Sequence, residues 1–196
     1  MASAVNRREL IVEAAERSFS LFGYKATTMD QVAKIANVAK GTIYTFFTNK
    51  EELFDEILHS IIADMKLVIE RTVREDKPFF ENLYETMDAL LEYRSQHELL
   101  HKLIQEVRNF GTQQAHEGLI KVEEAILGYL ERQIAIAGEH GEIHSFDPKV
   151  ISFVMVKLYV ALTVDWNNLH EPLTKEQIKE FVRVFLAGGL HVRQQD

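Results

Sequence analysis

The chain has 196 residues, 46% of them hydrophobic, with three prolines and nine glycines, a composition that favours helices over a turn-rich β architecture. Cysteine is absent, which excludes disulfides, thiolate catalysis and cysteine-based zinc sites. The net charge is −8, yet residues 1–50 hold seven basic and four acidic side chains, so one basic face can approach phosphates while the rest of the chain is acidic.

The first predicted helix covers residues 7–22, because apolar residues recur along it at helical spacing. Gly23 is a fitting residue to end this helix. Thr28 followed by Gln31 is a capping box, which predicts that a second helix begins at Met29. The head of the chain therefore begins with two helices separated by a few residues.

A tight turn and a third short helix follow. Asn37 tolerates the left-handed conformation that such a turn needs, and the pattern over residues 40–46 predicts a helix. Ile43 and Phe47, four residues apart, are expected to point into the domain. Two short helices joined in this way form a helix-turn-helix, whose second helix enters the major groove of DNA. The polar side chains left outside can reach base edges and phosphates, and they are Lys40, Thr42, Tyr44 and Thr45.

Two residues in this region occupy locally unfavourable positions. Gly41 costs about 1 kcal/mol relative to alanine inside a helix, but it permits close approach of the backbone to DNA. Lys50 lies in the first turn of the next helix, which Asn49 caps, and the helix dipole disfavours a cation there. Both positions indicate a contact with DNA.

The run T-T-M-D-Q-V-A…N-V-A-K-G-T-I-Y-T-F-F-T-N-K-E-E-L resembles the DNA-binding segment of the TetR (tetracycline-repressor) family, and the match covers residues 7–53. Ala39 stands where family members often have a serine, and Phe46 where a histidine or tyrosine is common. The resemblance implies that Thr27 and Thr28 contact phosphate, that Lys40, Thr42 and Thr45 face base edges, and that Tyr44 and Lys50 clamp the flanking backbone.

The rest of the chain is also predicted to be helical. Further helices are expected over residues 49–74, from 78 to a break near 95, and over 97–109, 112–137, 148–164 and 174–190, with a polar loop at 138–145. We therefore predict an all-α fold of about nine helices, in which a three-helix head carries the helix-turn-helix. Residues 1–50 form the DNA-binding domain, and residues 51–196 form a larger ligand-binding and dimerisation domain.

The last two helices are apolar on more than one side, which a monomer of this length has difficulty covering. We interpret them as a dimer interface, and in the family the corresponding helices pair with their copies as a four-helix bundle. The predicted interface residues are Phe153, Val154, Leu158, Phe181, Phe185 and Leu186.

A set of aromatic and apolar residues in the middle helices is by default plain core. Helical bundles rich in such residues can instead enclose a small-molecule pocket, and the resemblance favours this second interpretation. The candidate ligand-binding residues are Phe80, Met87, Tyr93, Leu103, Val107, Phe110, His116, Tyr159 and Trp166.

His97-Glu98-x-x-His101 matches the H-E-x-x-H pattern of zinc proteases. Because no segment is predicted as a sheet edge or cleft, we expect two ordinary helical histidines, no enzyme activity, no metal site and no cofactor. A second alternative is a helical dimeric module that binds a protein partner.

The preferred hypothesis is a ligand-responsive repressor. We expect it to bind double-stranded operator DNA as a homodimer and to be released by a small-molecule effector. Since no run approaches about 18 apolar residues and no signal-peptide core is present, we expect a soluble, cytoplasmic protein with no membrane partner.

Overall fold

The computed structural model of the protein describes residues 2–96, 98–109, 112–144 and 147–187, and the regular structure within these ranges is helical. This confirms the predicted all-α fold. The helices are α1 (Ala2–Ala26), α2 (Met29–Ile35), α3 (Lys40–Tyr44), α4 (Lys50–Thr72), α5 (Phe79–Gln96), α6 (Glu98–Asn109), α7 (Gln113–Glu139), α8 (Pro148–Val160) and α9 (Lys175–Val182). α8 continues into a π-helical turn (Ala161–Asp165) and a 3₁₀ turn (Trp166–Asn168), and α9 into a π-helical turn (Arg183–Ala187).

Local signals in the sequence set the starts of α2 and α9. Both predicted capping boxes are present: the hydroxyl of Thr28 accepts the amide of Gln31, and Thr174 does the same for Gln177 at the start of α9. In each pair the glutamine side chain bonds back to the amide of the capping residue. Asn37 has φ 53°, as the turn between α2 and α3 was predicted to require.

The C-terminal ends of α1 and α3 differ from the prediction. Gly23 leaves the helical conformation (φ 82°, ψ 170°), but the chain resumes a helical turn that runs to Ala26. α3 ends at Tyr44 instead of residue 46, because the next amides bond three residues back: Thr45 donates to the carbonyl of Thr42. The last predicted turn of α3 is therefore a tighter one.

Packing groups the chain into two compact units. One compact unit comprises residues 1–66 and 93–122, and a second comprises 67–92 and 123–196. The helix-turn-helix thus shares a core with the first part of α4, with α6 and with the first part of α7. We call these two groups unit 1 and unit 2.

Aromatic rings and one close helix approach organise the core of unit 1. The ring of Phe54 lies 5.2 Å from that of Phe19 and 4.8 Å from that of Tyr24, centroid to centroid. α7 approaches α4 closely at Gly118, where a Cβ atom would lie 2.9 Å from Leu58 Cδ1 and 3.1 Å from Phe54 Cε1. Only a residue without a side chain fits this approach without displacing its neighbours.

Unit 2 has its own apolar core. Its buried members come from α5, the end of α7, α8 and α9, and they are Phe79, Met87, Leu91, Ile134, Ala137, Ile143, Met155, Ile178, Val182 and Leu186. Among the described helices, none is long and apolar enough to cross a membrane.

Two glycines of α7 should respond oppositely to alanine. Gly118→Ala should lower the free energy of unfolding, because overpacking a closed core costs about 1–3 kcal/mol. Gly128→Ala should raise it by about 0.5–1 kcal/mol, the usual helix gain over glycine, since the nearest neighbour of the new Cβ, Arg132 Nη1, is 3.8 Å away. Urea unfolding measures both changes in the free energy of unfolding, provided that its dependence on urea concentration keeps the wild-type slope. Equal stabilisation by the two substitutions would contradict the packing at Gly118.

Candidate nucleic-acid interface

Buried side chains hold the two helices of the helix-turn-helix in place. Val32 and Ile43 are fully buried and Phe47 nearly so, which confirms that Ile43 and Phe47 point inward. The turn is closed by a hydrogen bond from the amide of Val38 to the carbonyl of Ala33, 3.0 Å long. The side chains on the other side of α3 are therefore presented on a rigid support.

Most of the residues predicted to contact DNA are accessible. Thr42 is half-buried, and its carbonyl accepts the hydroxyl of Thr45 at 2.6 Å. The exposed members are Thr28, Lys40, Gly41, Tyr44 and Thr45. The surface of α2 and α3 thus offers hydroxyls, a phenol and an ammonium group, all of which bind phosphates or base edges.

The ammonium group of Lys40 is held by an acid on α2. Its Nζ lies 2.8 Å from Asp30 Oδ1, and both side chains are more than half exposed. This hydrogen bond with Asp30 raises the pKa of Lys40. Because an exposed ion pair is weak and screened by salt, Lys40 can exchange this partner for DNA.

Thr27 does not face the outside. Its side chain is 1% exposed, and its Oγ1 lies 3.2 Å from Ser18 Oγ. The residue before a helix cap commonly packs inward to fix the entry of the chain. The Thr27 side chain is therefore turned into the protein, and of the two threonines predicted to contact phosphate only Thr28 is exposed.

Lys50 has partners within the protein. Its Nζ donates to the carbonyls of Tyr24 and Thr27, at 2.9 and 3.1 Å, and lies 4.2 Å from the centroid of the Tyr24 ring. Burial lowers the pKa of Lys50, and the charges of Glu51 and Glu106 oppose this effect. The position of Lys50 in the first turn of α4, from which a phosphate contact was predicted, is therefore explained within the protein. The ammonium group binds carbonyls of α1 and of its connection to α2.

Sequence reasoning missed Glu106, a buried carboxylate in unit 1. Its Oε2 accepts the amide of Tyr24 at 2.5 Å, and its Oε1 accepts the amide of Lys25 at 3.0 Å and the hydroxyl of Thr112 at 2.7 Å. The signal was present, because Leu99, Leu103 and Glu106 form one stripe of α6 at helical spacing. An acid on such a buried stripe requires a specific partner.

The candidate ligand-binding residues are divided between the two units. Phe80 and Tyr159 pack against the core of unit 2, to which Met87 belongs. Leu103, by contrast, is buried in unit 1, where the Tyr93 hydroxyl also lies, 3.5 Å from the carbonyl of Ile61. His116 and Trp166 are exposed, and the Trp166 ring lies 4.1 Å from that of His170. Phe110 lies outside the described residues, as does the side chain of Val107.

The two helices predicted to form a dimer interface expose a large apolar surface. Phe153 is 51% exposed and Phe185 62%. Two predicted members differ from these: Leu186 is buried and Leu158 half-buried in the core of unit 2, because they lie on the inward side of their helices. The exposed large apolar residues of α8, α9 and its π-helical turn are Val150, Phe153, Val154, Phe181, Val184 and Phe185.

The H-E-x-x-H pattern falls on a poorly described stretch. His97 lies outside the described residues, and so do the side chains of Glu98 and His101.

Comparisons with known proteins agree with a DNA-binding fold. Residues 11–57 match the family described as "Bacterial regulatory proteins, tetR family". The chain is 46% identical over 187 residues to an uncharacterized HTH-type transcriptional regulator, YhgD, of Bacillus subtilis (strain 168), covering 95% of this chain and 98% of that protein. It is 29% identical to the probable acrEF/envCD operon repressor of Escherichia coli (strain K12), over 61% of this chain and 56% of that protein.

Solved structures have the same fold. A putative TetR-family transcriptional regulator from Syntrophomonas wolfei superposes with a TM-score of 0.76 at 21% identity, covering 96% of this chain and 98% of that one. The SmeT–triclosan complex also gives 0.76, at 16% identity, covering 96% and 93%. The helical fold, the helix-turn-helix and the long match to a relative define an HTH-type transcriptional regulator. The chain belongs to the TetR family, and the comparisons lend no support to a zinc hydrolase.

Gly41 should respond to alanine in two opposite ways. A Cβ atom at this position would meet nothing within 4 Å, so Gly41→Ala should raise the free energy of unfolding by about 0.5–1 kcal/mol. The new methyl group would, however, stand between α3 and DNA. We therefore expect about tenfold weaker binding, or ~1.4 kcal/mol, to a duplex that the wild-type protein selects from random sequence (the selected duplex).

Gly128→Ala is the control for this prediction, because it makes the same change in a helix outside the helix-turn-helix. It should stabilise the protein without affecting binding. Unchanged DNA affinity in Gly41→Ala would show that the backbone of α3 does not approach DNA at this residue.

Proposed function

We propose that the protein is a repressor that binds a roughly palindromic operator as a homodimer and is released from it by a small apolar or amphipathic effector. The observation that carries the proposal is the exposure of Lys40, Tyr44 and Thr45 on a short helix whose Ile43 is fully buried. Such a helix is fixed in orientation and polar on its outer side, as a recognition helix must be. The name of the Escherichia coli operon repressor supports repression as the outcome.

The roles of the exposed residues follow from their chemistry. Lys40, Thr42 and Thr45 reach base edges, and an ammonium group pairs best with the acceptors of guanine. Tyr44 donates to the flanking DNA backbone, and Thr28 at the start of α2 contacts phosphate. Binding therefore requires that Lys40 leave Asp30, so the base must replace the carboxylate as its partner.

The exposed apolar surface on α8 and α9 supports a homodimer. Monomeric soluble proteins rarely expose a contiguous patch of large apolar residues, and such patches mark interfaces. The rings of Phe181 and Phe185 stack at 6.4 Å, which makes the patch on α9 continuous along one side. Two linked helix-turn-helix elements then bind two half-sites, so the operator shares the two-fold symmetry of the dimer.

The proposed effector binds in the core of unit 2. This core combines aromatic, aliphatic and methionine side chains, which suits an apolar ligand. The hydroxyls of Tyr84 and Thr86 are buried without a hydrogen-bond partner among the described residues, and such groups are costly unless a ligand or water satisfies them. Burial raises the pKa of Tyr84, so its hydroxyl remains available as a donor to a polar group of the effector.

DNA recognition can be tested by selecting duplexes from a random pool. Lys40→Ala should weaken binding to the selected duplex by roughly 5- to 150-fold, the usual range for a base contact, and should affect random DNA far less. Lys34→Ala removes the same charge from an exposed position of α2. This control should weaken both duplexes about equally. If the wild-type protein enriches no sequence at all, the proposed function is refuted.

Assembly can be tested by charging the apolar patch. Phe185→Glu and Phe153→Glu place an unpaired charge in the proposed interface, where desolvation is severely unfavourable. We expect monomers by light scattering and loss of binding to the selected duplex. Phe22→Glu makes the same change at an exposed phenylalanine of α1 and should remain dimeric. Dimers in both interface variants would place the contact elsewhere.

A further inference from the structure

We propose that Glu106, on α6, is a positioning residue for DNA recognition: its carboxylate holds the segment between α1 and α2 and thereby sets the helix-turn-helix. This inference rests on the proposed DNA-binding function. It concerns a residue that lies outside the helix-turn-helix and is 50 or more positions from every residue predicted to contact DNA.

The kink in α1 creates the need for an external acceptor. Gly23 has φ 82° and ψ 170°, a region of backbone conformation that is essentially restricted to glycine. The kink interrupts the helical hydrogen bonds, and the amides of Tyr24 and Lys25 instead donate to Glu106. The bond from the Tyr24 amide is buried, and a buried amide without an acceptor is strongly unfavourable. The acceptor that Glu106 supplies therefore stabilises the kink.

The carboxylate in turn requires these donors. Glu106 is 6% exposed, and burying a carboxylate is costly unless it accepts hydrogen bonds. It receives three, from the amides of Tyr24 and Lys25 and from the hydroxyl of Thr112. Hydrogen bonds to a charged acceptor are roughly twice as strong as neutral ones. α6 and the end of α1 therefore stabilise each other.

The carboxylate of Glu106 occupies the space that a side chain on residue 23 would need. A Cβ atom on residue 23 would lie 2.5 Å from Glu106 Oε2 and 3.7 Å from Lys102 Cε. A side chain at this position would therefore displace the carboxylate from the amides. Gly23 and Glu106 act as a pair, and a change in either one disturbs the same hydrogen bonds.

The clamped segment leads directly to the DNA-binding helices. The amide of Thr27 donates to the carbonyl of Gly23 at 3.2 Å, and Thr28 caps α2. Lys50 binds the carbonyls of Tyr24 and Thr27, so the same segment is held by a carboxylate at its amides and by an ammonium group at its carbonyls. Loss of the carboxylate releases one of these two attachments immediately before α2.

Loss of this attachment should lower the affinity for DNA. If the helix-turn-helix is correctly placed in a fraction f of the molecules, the apparent dissociation constant rises by 1/f. A tenfold loss of affinity thus corresponds to correct placement in about one molecule in ten. Contacts to base edges depend on position more strictly than contacts to phosphates do, so the loss should be larger on the selected duplex than on random DNA.

The first experiment compares two neutralised acids of unit 1. Glu106→Gln keeps the size of the side chain but leaves one acceptor oxygen for two amides. We expect binding to the selected duplex to weaken at least about tenfold and binding to random DNA to change much less. Glu117→Gln makes the same charge change at an exposed position of α7 and should bind as the wild type does.

The second experiment measures amide hydrogen exchange without DNA. In Glu106→Gln the amides of Tyr24 and Lys25 should exchange at least about tenfold faster, because their acceptor is weakened. The amides of Ile57 and Leu58, in the core of the same unit, should keep their wild-type rates. A uniform increase across unit 1 would mean that Glu106 supports the fold in general, and it would overturn the proposal.

The third experiment is a double-mutant cycle between Gly23→Ala and Glu106→Ala, read as affinity for the selected duplex. The combined loss should be clearly smaller than the product of the separate losses, because either substitution already removes the carboxylate from the amides. Independent effects would contradict the pairing. Should Glu106→Ala fail to fold, the comparison of Glu106→Gln with Glu117→Gln still tests the positioning role.

The outcomes separate this inference from the function on which it rests. If the wild-type protein selects no duplex, the proposed function fails and the positioning role fails with it. If the wild-type protein selects a duplex and Glu106→Gln binds it equally well, the positioning role alone is wrong.

Discussion

The DNA-binding part of this protein depends on the hydrogen bonds that the backbone makes where α1 kinks. The Tyr24 peptide groups on either side of its Cα are bound by opposite charges, the amide by Glu106 and the carbonyl by Lys50. The tyrosine ring packs against Phe19 and Phe54, and its hydroxyl donates to Glu51. One residue therefore connects α1, α4 and α6, and α2 begins five residues after it.

One exposed surface of the protein is polar and another is apolar, and each lies on helices whose opposite sides are buried. On α3 the outer side chains are polar while Ile43 is buried, and on α8 and α9 Phe153 and Phe185 are exposed while Met155 and Leu186 are buried. A polar surface is stable in water and can remain exposed when no DNA is bound. An apolar surface of this size is stable when a partner surface covers it. This difference fits a transient partner for α3 and a permanent one for α8 and α9.

The features that sequence predicted are those encoded within a few residues. The caps at Thr28 and Thr174 and the inward side chains of Ile43 and Phe47 follow from spacing alone, and the structure confirms them. The partner of Glu106 lies 82 residues away and that of Lys50 lies 26 away. Pattern reasoning cannot supply such pairs, because the fold decides which distant segments meet. For the same reason the sequence did not reveal that the side chains of Thr27 and Leu186 are buried.

The composition of unit 1 has a consequence for synthesis on the ribosome. Its core needs residues 1–66 and 93–122, so α6 and the start of α7 must emerge before the helix-turn-helix can complete its packing. At bacterial elongation speeds the chain from residue 67 to Glu106 takes roughly 2–8 s to make. During this interval the nascent chain carries the amides of Tyr24 and Lys25 without Glu106. The DNA-reading helices are therefore among the first parts to be synthesised and cannot reach their final arrangement until the chain is well past its midpoint.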